Sequence, residues 1–166
     1  MSRRHVISAW APSNAQASEL PPCHLLWVFN VQMDQAGEPL LCLHLTQRSA
    51  DVAIGVPYNI AGYAFLLELF AHLTGLRAGI FAHSLVDAHI YTSKPDGLQA
   101  EYDHVLGLKE QMRRSPRTLP RLKIDPAIES IEDVENLITA NLETILDAFQ
   151  LTGYNPYDAI QFNVVV

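Results

Sequence analysis

A thiol and an arginine–serine pair stand 25 residues apart in the first third of the chain. Cys23 lies in the segment Pro21-Pro22-Cys23-His24, where two prolines restrict the direction of the thiol. A cysteine nucleophile reacts as its thiolate, which a nearby cation such as Arg48 would favour. The alternative is a buried structural cysteine. His24 is poorly placed to act as a base for its own neighbour, so this segment alone does not predict a catalytic dyad.

Arg48 and Ser49 form a donor pair at the end of an apolar segment. A guanidinium fork and a hydroxyl can bind one phosphate together, and a surface salt bridge is the alternative for the arginine. Arg3 and Arg4 are a second candidate pair, or simply a solvated end of the chain. Because the net charge is −7, an anionic ligand must bind where cations are concentrated, and non-specific binding to nucleic acid is disfavoured.

Three further side chains suit a nucleoside. The amide of Asn59 offers both a donor and an acceptor, which match N3–H and O4 of uracil, whereas cytosine would prefer an acidic partner. The alternative for Asn59 is a helix cap. His89 and Tyr91 alternate along a predicted strand and therefore share one side, where both could bind a ribose hydroxyl. A core histidine and an interface tyrosine are the alternatives for these two.

The composition predicts one globular domain over residues 1–166. Hydrophobic residues make up 49% and charged residues 17%, with no internal repeat and no linker. The first residues lack an apolar signal region, and no apolar run approaches the length of a membrane span. Two cysteines without CxxC spacing do not predict a metal site. We therefore expect a cytoplasmic protein with free thiols and no membrane, nucleic-acid or metal partner.

The elements that must position these residues alternate irregularly between strands and helices, which predicts an α+β fold with a mixed β-sheet covered by helices. Ser130 and Asp133 are expected to cap the last helix, and Gly75 to end the first one. The predicted strands span 6–10, 24–31, 40–47 and 79–91, with a hairpin loop at 34–39; the predicted helices run from 57 to 74, 98 to 114 and 128 to 149.

The strands at 24–31 and 40–47 are apolar at almost every position. Such strands are expected where both faces of a sheet are covered. In a chain of this length the helices can cover one face, so the other would expose an apolar patch larger than monomers usually tolerate. We therefore predict that this face of the sheet packs against a partner subunit in a homodimer.

Several longer motifs, in the same order along the whole chain, resemble the thymidylate synthase family. They include Leu20-Pro21-Pro22-Cys23-His24, Gln47-Arg48-Ser49-Ala50-Asp51-Val52, Gly55-Val56-Pro57-Tyr58-Asn59-Ile60-Ala61, Asp87-Ala88-His89-Ile90-Tyr91 and Gly153-Tyr154-Asn155-Pro156. The resemblance implies a thymidylate synthase-like α+β fold and a homodimer. It also implies reductive methylation of dUMP to dTMP, with 5,10-methylenetetrahydrofolate as co-substrate and no metal.

The resemblance assigns a role to each candidate residue. Cys23 would attack C6 of dUMP, with Arg48 favouring the thiolate and Asn59 reading the uracil edge. Asp51 and Gly55 would lie near the base and the folate, and the C-terminal tail, ending at Val166, would close over the ligands. The residues implied to bind dUMP are Arg3 and Arg4, which would reach the partner's phosphate, and Gln47, Arg48, Ser49, Asn59, His89 and Tyr91.

The same resemblance places the chain in the C-terminal catalytic part of the family. We expect it to lack the usual N-terminal half, which carries a flexible phosphate-binding arginine loop, a catalytic glutamate and aromatic residues of the folate pocket. Three other functions stay open at this point. One is a dUMP hydroxymethylase, which adds water where the synthase adds hydride. Another is a non-catalytic nucleotide-binding or dimerisation module, and the third is a cysteine hydrolase that would use Cys23 and a histidine.

Overall fold

The computed structural model describes residues 2–15, 17–94 and 96–164 of the chain. These ranges fold around one four-stranded sheet, with two short two-stranded sheets beside it. In chain order the elements are β1 (His5–Ser8), β2 (His24–Met33), β3 (Pro39–Gln47), β4 (Ala50–Asp51), α1 (Gly55–Thr74), β5 (Arg77–Leu85), β6 (Ala88–His89), α2 (Val105–Arg113), β7 (Arg121–Ile124), α3 (Ile131–Ile138), α4 (Leu142–Ala148) and β8 (Phe149–Thr152).

The main sheet is mixed, as the sequence predicts. Its strand order is β1-β2-β3-β5, with β1, β2 and β3 antiparallel and β5 parallel to β3. The β2–β3 connection is the predicted hairpin loop. The Asp34 carboxylate closes it by accepting hydrogen bonds of 2.9 Å from the main-chain nitrogens of Ala36 and Glu38. The same carboxylate binds the Arg77 guanidinium at 2.6 Å, which ties the loop to the start of β5.

The core lies between α1 and one face of this sheet. Tyr63, Leu67 and Ala71 recur every four residues and so form one stripe of the helix, against which Leu43 and Leu45 pack almost fully buried. The helix ends at Gly75, which adopts the left-handed conformation with φ of 66° and confirms the predicted cap. None of the helices in the described ranges is long and apolar enough to cross a membrane.

The opposite face of the sheet is left uncovered by the chain itself. Val6 on β1 is 54% exposed and Ile80 on β5 is 64% exposed. Between them His44 and Ser84, both exposed, share a hydrogen bond of 2.8 Å. One sheet face is therefore packed by helix α1, and the second is an open surface that carries apolar side chains.

Two helix predictions need correction. The helix predicted over 98–114 begins only at Val105, because residues 100–102 form a 3₁₀ turn and the Asp103 carboxylate binds the nitrogen of Val105 at 2.9 Å. The helix predicted over 128–149 is two helices, α3 and α4. Asn141 interrupts it by turning its side chain onto the nitrogen of Thr144 at 2.9 Å, as capping asparagines do. At the start of α3, Ser130 and Asp133 form the predicted cap as a reciprocal capping box.

The strand predicted over 79–91 is also divided. β5 ends at Leu85, and β6 covers only Ala88 and His89. β6 pairs with β4 in parallel, with Asp51 opposite His89. The antiparallel pair β7–β8, whose strands are separated in the chain by α3 and α4, was not predicted from the sequence. The short β4–β6 pair thus brings two candidate site residues from distant parts of the chain side by side.

Gly79 marks a close approach between β5 and β3. A Cβ atom at this position would lie 2.7 Å from Cys42 Sγ and 3.1 Å from the Leu41 carbonyl oxygen. We expect Gly79→Ala to destabilise the fold by about 1–3 kcal/mol. The added methyl group would clash with β3, and the paired backbone of the two strands cannot move apart freely. Urea unfolding measures the effect. The control is Gly62→Ala in α1, where a Cβ meets no atom within 4 Å and should stabilise the helix slightly. Equal stability of the two variants would contradict the prediction.

Candidate active site

Cys23 and Arg48 meet at one end of the main sheet. Cys23 directly precedes β2, Arg48 directly follows β3, and the Arg48 nitrogen donates to the Cys23 carbonyl oxygen at 2.9 Å. The side chain of Cys23 is free and half-buried, whereas Cys42 is buried inside the sheet. The structure therefore places the candidate nucleophile, and not the second thiol, at an accessible edge of the core.

The Arg48 guanidinium holds the turn that carries the thiol. Its Nη2 donates to the Pro21 carbonyl at 2.7 Å and its Nε to the Pro22 carbonyl at 3.1 Å. It also lies over the ring of Trp10, 5.5 Å from the ring centroid. No ion pair to Arg48 occurs within the described ranges, so the salt-bridge alternative has no support there. Of its five N–H donors two serve the turn, which leaves the others for an anion beside Ser49.

Asn59 is fixed by a chain of hydrogen bonds and not by a capping role. It lies inside α1, which begins at Gly55, so the cap alternative is wrong. Its Oδ1 accepts from Gln47 Nε2 at 2.9 Å, and its Nδ2 lies 2.9 Å from His24 Nε2. At the two ends, His83 Nε2 lies 2.8 Å from Gln47 Oε1, and His24 Nδ1 lies 2.9 Å from the Tyr63 hydroxyl. The network sets the direction in which the amide presents its donor and its acceptor.

This network is complete only while His24 is neutral. An amide N–H can donate to His24 Nε2 only if that nitrogen carries no proton. Burial lowers the pKa of His24 below its usual value. The pKa of His83 is lowered as well, first by burial and then by the positive charges that His24 and His44 would carry. His24 is therefore held in the neutral form that the network requires at neutral pH, whereas His83 can donate from Nε2 to Gln47 Oε1 in either form.

We expect the protein to lose stability as the pH falls below about 6.5, the ordinary histidine value. For a histidine whose pKa is lowered by folding, the unfolded chain takes up the proton first, so the stabilisation present above that value is lost on acidification. Urea unfolding at pH 7.5, 6.0 and 5.0 measures the effect. Replacement of both residues, His24→Gln with His83→Gln, should flatten this dependence. An unchanged pH slope in that variant would contradict the assignment.

Asp51, Gly55 and His89 form the second part of the site. The Asp51 side chain is 20% exposed, and its Oδ1 accepts from the Ala53 nitrogen at 3.0 Å. Gly55 packs between two candidate residues, since a Cβ there would lie 3.5 Å from Asp51 Cβ and 3.8 Å from Asn59 Oδ1. His89 stands opposite Asp51 and meets the ring of Tyr91 edge to face at 5.0 Å. The two rings are adjacent, although β6 ends before Tyr91.

Two grooves adjoin these residues. The smaller one, of about 190 Å³, is lined by His24, Asn59 and Tyr63. The larger one, of about 600 Å³, lies between the start of α1, the end of α2 and the C-terminal segment. Tyr58 borders both grooves and is 75% exposed. The larger groove is lined by Ala53, Ile54, Pro57, Tyr58, Gln111, Arg114, Ser115, Tyr157, Ala159, Ile160, Gln161, Phe162 and Val164.

Arg3 and Arg4 are not part of this cluster. β1 pairs with β2 so that His5 stands opposite Phe29, which puts the two exposed arginines toward the far end of the sheet from His24. Phe29 is five residue steps along β2 from His24, which corresponds to roughly 16 Å, and both arginines precede His5. The chain's own site is therefore out of their reach. Val166, the last residue of the predicted tail, lies outside the described residues, whereas Phe162 and Val164 line the larger groove.

Sequence reasoning missed three residues that the fold brings to the site. Tyr63 had a usable signal, because it follows Asn59 by four residues and must share its face of a helix. His83 had a weaker one, since it lies in the strand predicted over 79–91, whose neighbours the sequence did not predict. His104 had none: it is 1% exposed, lies 3.8 Å from Asp51 and follows a stretch whose 3₁₀ turn the sequence did not predict. In the described ranges no group of three or more potential metal ligands is close enough to hold an ion.

Comparison with known proteins agrees with the resemblance. A sequence model of the family described as thymidylate synthase matches residues 1–166. The chain is 44% identical over 165 residues to the thymidylate synthase of Equine herpesvirus 2 (strain 86/87), covering 99% of this chain and 48% of that protein. It is 38% identical over 203 residues to that of Haloferax volcanii, covering 98% and 54%. It is 40% identical over 163 residues to thymidylate synthase 1/2 of Encephalitozoon cuniculi, covering 98% and 48%.

The chain thus spans about half the length of the curated relatives it matches. Nearly all of its own length is covered in each comparison, and the mixed sheet and helices fit the α+β fold expected from the motifs. On the match over residues 1–166, the chain belongs to the thymidylate synthase family.

Proposed function

We propose that the chain acts in the reductive methylation of dUMP to dTMP, with 5,10-methylenetetrahydrofolate as co-substrate. The observation that carries the proposal is the meeting of Cys23, Arg48 and the Asn59 network at one end of the sheet. A thiol, an anion-binding guanidinium and an oriented amide are the three groups that a uracil nucleotide site with a covalent catalyst needs. We propose that residues 1–166 form a single domain of this kind.

In this proposal Cys23 supplies the nucleophile. Its thiolate forms a bond to C6 of the uracil ring, the C5–C6 double bond opens, and C5 becomes nucleophilic. The co-substrate supplies a one-carbon unit that replaces the proton at C5, and a hydride that completes the methyl group while the folate is oxidised to dihydrofolate. Loss of the Cys23–C6 bond then restores the double bond and the thiolate. The half-buried thiol beside the Arg48 main chain is consistent with this role.

The other candidate residues bind and orient the nucleotide. Arg48 and Ser49 would hold the phosphate, with the guanidinium donors that the Pro21–Pro22 turn does not use. Asn59, oriented by Gln47 and His24, would pair with N3–H and O4 of uracil. His89 and Tyr91, whose rings touch, would bind the 3′-hydroxyl. The larger groove, lined by Ala53 and Ile54 between Asp51 and Gly55 in the chain, would accept the folate, whose flat ring system suits a lining that includes Tyr58 and Phe162.

Product analysis tests this function directly. Release of tritium from [5-³H]dUMP in the presence of methylenetetrahydrofolate, as the C5 proton is replaced, with dTMP identified by mass spectrometry, would establish the function for this chain. Formation of 5-hydroxymethyl-dUMP would instead identify a hydroxymethylase. Binding of dUMP without tritium release would indicate a non-catalytic nucleotide-binding module. Absence of dUMP binding at millimolar concentration would overturn the proposal.

We also propose that the chain works as a homodimer in the cytoplasm, where free thiols such as Cys23 and Cys42 are maintained. The uncovered sheet face, with exposed Val6 and Ile80, supports a face-to-face contact. Arg3 and Arg4 lie too far from the site of their own chain. In that arrangement they would bind the phosphate of dUMP in the partner's site.

Analytical ultracentrifugation tests the dimer. We expect a dimer at micromolar concentration, and a monomer for Ile80→Asp, because a charge on this apolar face would be buried without a partner. Ile138→Asp is the matched control, since Ile138 is 75% exposed at the end of α3, away from the sheet. A monomeric unmodified chain, or equal dissociation of both variants, would contradict the prediction.

A further inference from the structure

His104 occupies an unusual position for a histidine without an assigned role. It is 1% exposed and immediately precedes α2. Its main-chain nitrogen donates to the Tyr91 carbonyl at 3.1 Å. Its ring is held edge to face between Tyr91, at 5.7 Å, and Phe162, at 5.1 Å. The ring therefore has one fixed orientation, set from both sides by aromatic neighbours.

The two ring nitrogens face different parts of the molecule. Nε2 lies 2.9 Å from the Asn163 carbonyl oxygen, an acceptor, so Nε2 must carry a proton. Nδ1 points toward Asp51 Oδ1 at 3.8 Å, within ion-pair range but too far for a hydrogen bond. Among the side chains that the structure describes, Nδ1 is the buried nitrogen or oxygen without a hydrogen-bond partner. Such an atom costs free energy unless a proton or a ligand satisfies it.

The C-terminal segment packs against the residues around His104. Asn163 Nδ2 donates to the Glu101 carbonyl at 2.8 Å. Phe162 fills the space above Gly107 in α2, where a Cβ atom would lie 2.5 Å from its Cε1. Residues 162–163 are thus held by contacts to residues 101–107, and His104 lies in the middle of this seat. Its ring is the group that touches both the segment and Asp51.

Of the charged and titratable groups around the ring, Asp51 is the one that faces Nδ1. Asp103, the adjacent carboxylate, is already occupied, since it accepts from the Ser93 nitrogen and hydroxyl at 3.0 Å each and from the Val105 nitrogen. Tyr91 presents its ring edge, and the C-terminal segment contributes Phe162 and a main-chain carbonyl. The Asp51 carboxylate, supplied by β4, is the acceptor that faces Nδ1.

We propose that His104 is a positioning residue that joins Asp51 to the C-terminal segment, an inference that rests on the function proposed above. Nδ1 faces the Asp51 carboxylate across 3.8 Å, within ion-pair range, while Nε2–H keeps the Asn163 carbonyl in place. One ring therefore contacts both Asp51 and the C-terminal segment, whose Phe162 lines the larger groove. Closure of the C-terminal segment and orientation of Asp51 are coupled through this ring.

A spectroscopic test does not depend on activity. Long-range ¹H–¹⁵N spectra of the histidine-labelled chain report the proton at each ring nitrogen, with His104 assigned by its loss in His104→Gln. We expect Asp51→Asn to shift the Nδ1 resonance of His104 and to leave Nε2 in its protonated range. An Nδ1 resonance that does not respond to Asp51→Asn would overturn the coupling, whether or not the chain binds dUMP.

Two substitutions of His104 distinguish the contact made by Nδ1 from the contact made by Nε2. The amide of His104→Gln can still donate to the Asn163 carbonyl but offers nothing at Nδ1, whereas His104→Asn keeps an N–H group at Nδ1 but does not reach the carbonyl. We expect the ¹⁵N heteronuclear NOE of residues 162–164 to fall in His104→Asn and to stay near the unmodified value in His104→Gln. His72→Asn is the matched control, because it removes an equivalent bond of 2.8 Å from a histidine to the Ile128 carbonyl.

Amide exchange of Leu108, whose nitrogen bonds to the His104 carbonyl, checks that α2 stays folded in both variants. If both variants loosen α2 and residues 162–164 equally, His104 is a structural core residue and the proposal is wrong.

Steady-state kinetics give a further test if the chain turns dUMP over. His104→Gln should then raise KM for methylenetetrahydrofolate by about tenfold, which is the effect of losing one hydrogen bond to a charged group, without changing KM for dUMP. Equal changes in both constants would contradict it.

Discussion

Cys23→Ser should gain no mass when it is incubated with 5-fluoro-dUMP and methylenetetrahydrofolate, whereas the unmodified chain should gain the mass of both ligands. Fluorine at C5 blocks the last proton removal, so a competent site traps both molecules on its nucleophile. A serine hydroxyl is a much weaker nucleophile than a thiol at neutral pH, because almost none of it is ionised. Turnover of dUMP should fall by at least about 10³-fold.

The structure sharpens this experiment by supplying a control. Cys42 is 4% exposed and accepts a hydrogen bond of 3.3 Å from the Ile80 nitrogen, which a serine oxygen can also accept. Cys42→Ser should therefore fold and form the same adduct as the unmodified chain. Intact mass spectrometry with peptide mapping measures the result. An adduct that persists in Cys23→Ser, or one that maps to Cys42, would remove Cys23 from the mechanism.

Asn59→Asp should reverse the preference for the pyrimidine base. A carboxylate offers two acceptors, so it repels O4 of uracil and can accept from the amino group at C4 of cytosine. The substitution also alters the network. Gln47 can still donate to one carboxylate oxygen, but the other faces His24 Nε2, which must then carry a proton. We expect the ratio of kcat/KM for dUMP over dCMP to fall by about 10³-fold or more, as expected for a site that recognises its ligand by buried hydrogen bonds.

Asn141→Asp provides the matched control for charge. Asn141 caps α4 by accepting from the Thr144 nitrogen, and aspartate caps a helix equally well. This variant carries the same chemical change at an exposed position remote from the sheet end, so base preference should not move. Steady-state kinetics with both nucleotides, or equilibrium binding if turnover is absent, gives the ratio. An unaltered preference in Asn59→Asp would show that the base is read elsewhere.

Much of the fold followed from local pattern. The hairpin at 34–39, the end of α1 at Gly75 and the Ser130–Asp133 cap each depend on residues within a few positions of one another, and the structure agrees with all three. The same local reasoning failed over 128–149. The apolar spacing there continues unbroken, but the Asn141 side chain competes for the helix backbone and divides it. A cap inside a periodic stretch is hard to detect because asparagine is also tolerated within helices.

The sequence by itself determined the family, the mixed α+β architecture and the order of the candidate groups, because these depend on residue types and on motifs that are contiguous in the chain. The tertiary structure alone decided how those groups face one another. The β2–β3 pairing puts His24 beside Gln47, and the β4–β6 pairing puts Asp51 opposite His89. The seating of residues 162–163 on α2 puts His104 between Asp51 and the C-terminal segment. Each of these juxtapositions joins residues 23 to 59 positions apart, and such contacts form only when the packed core fixes the chain around them.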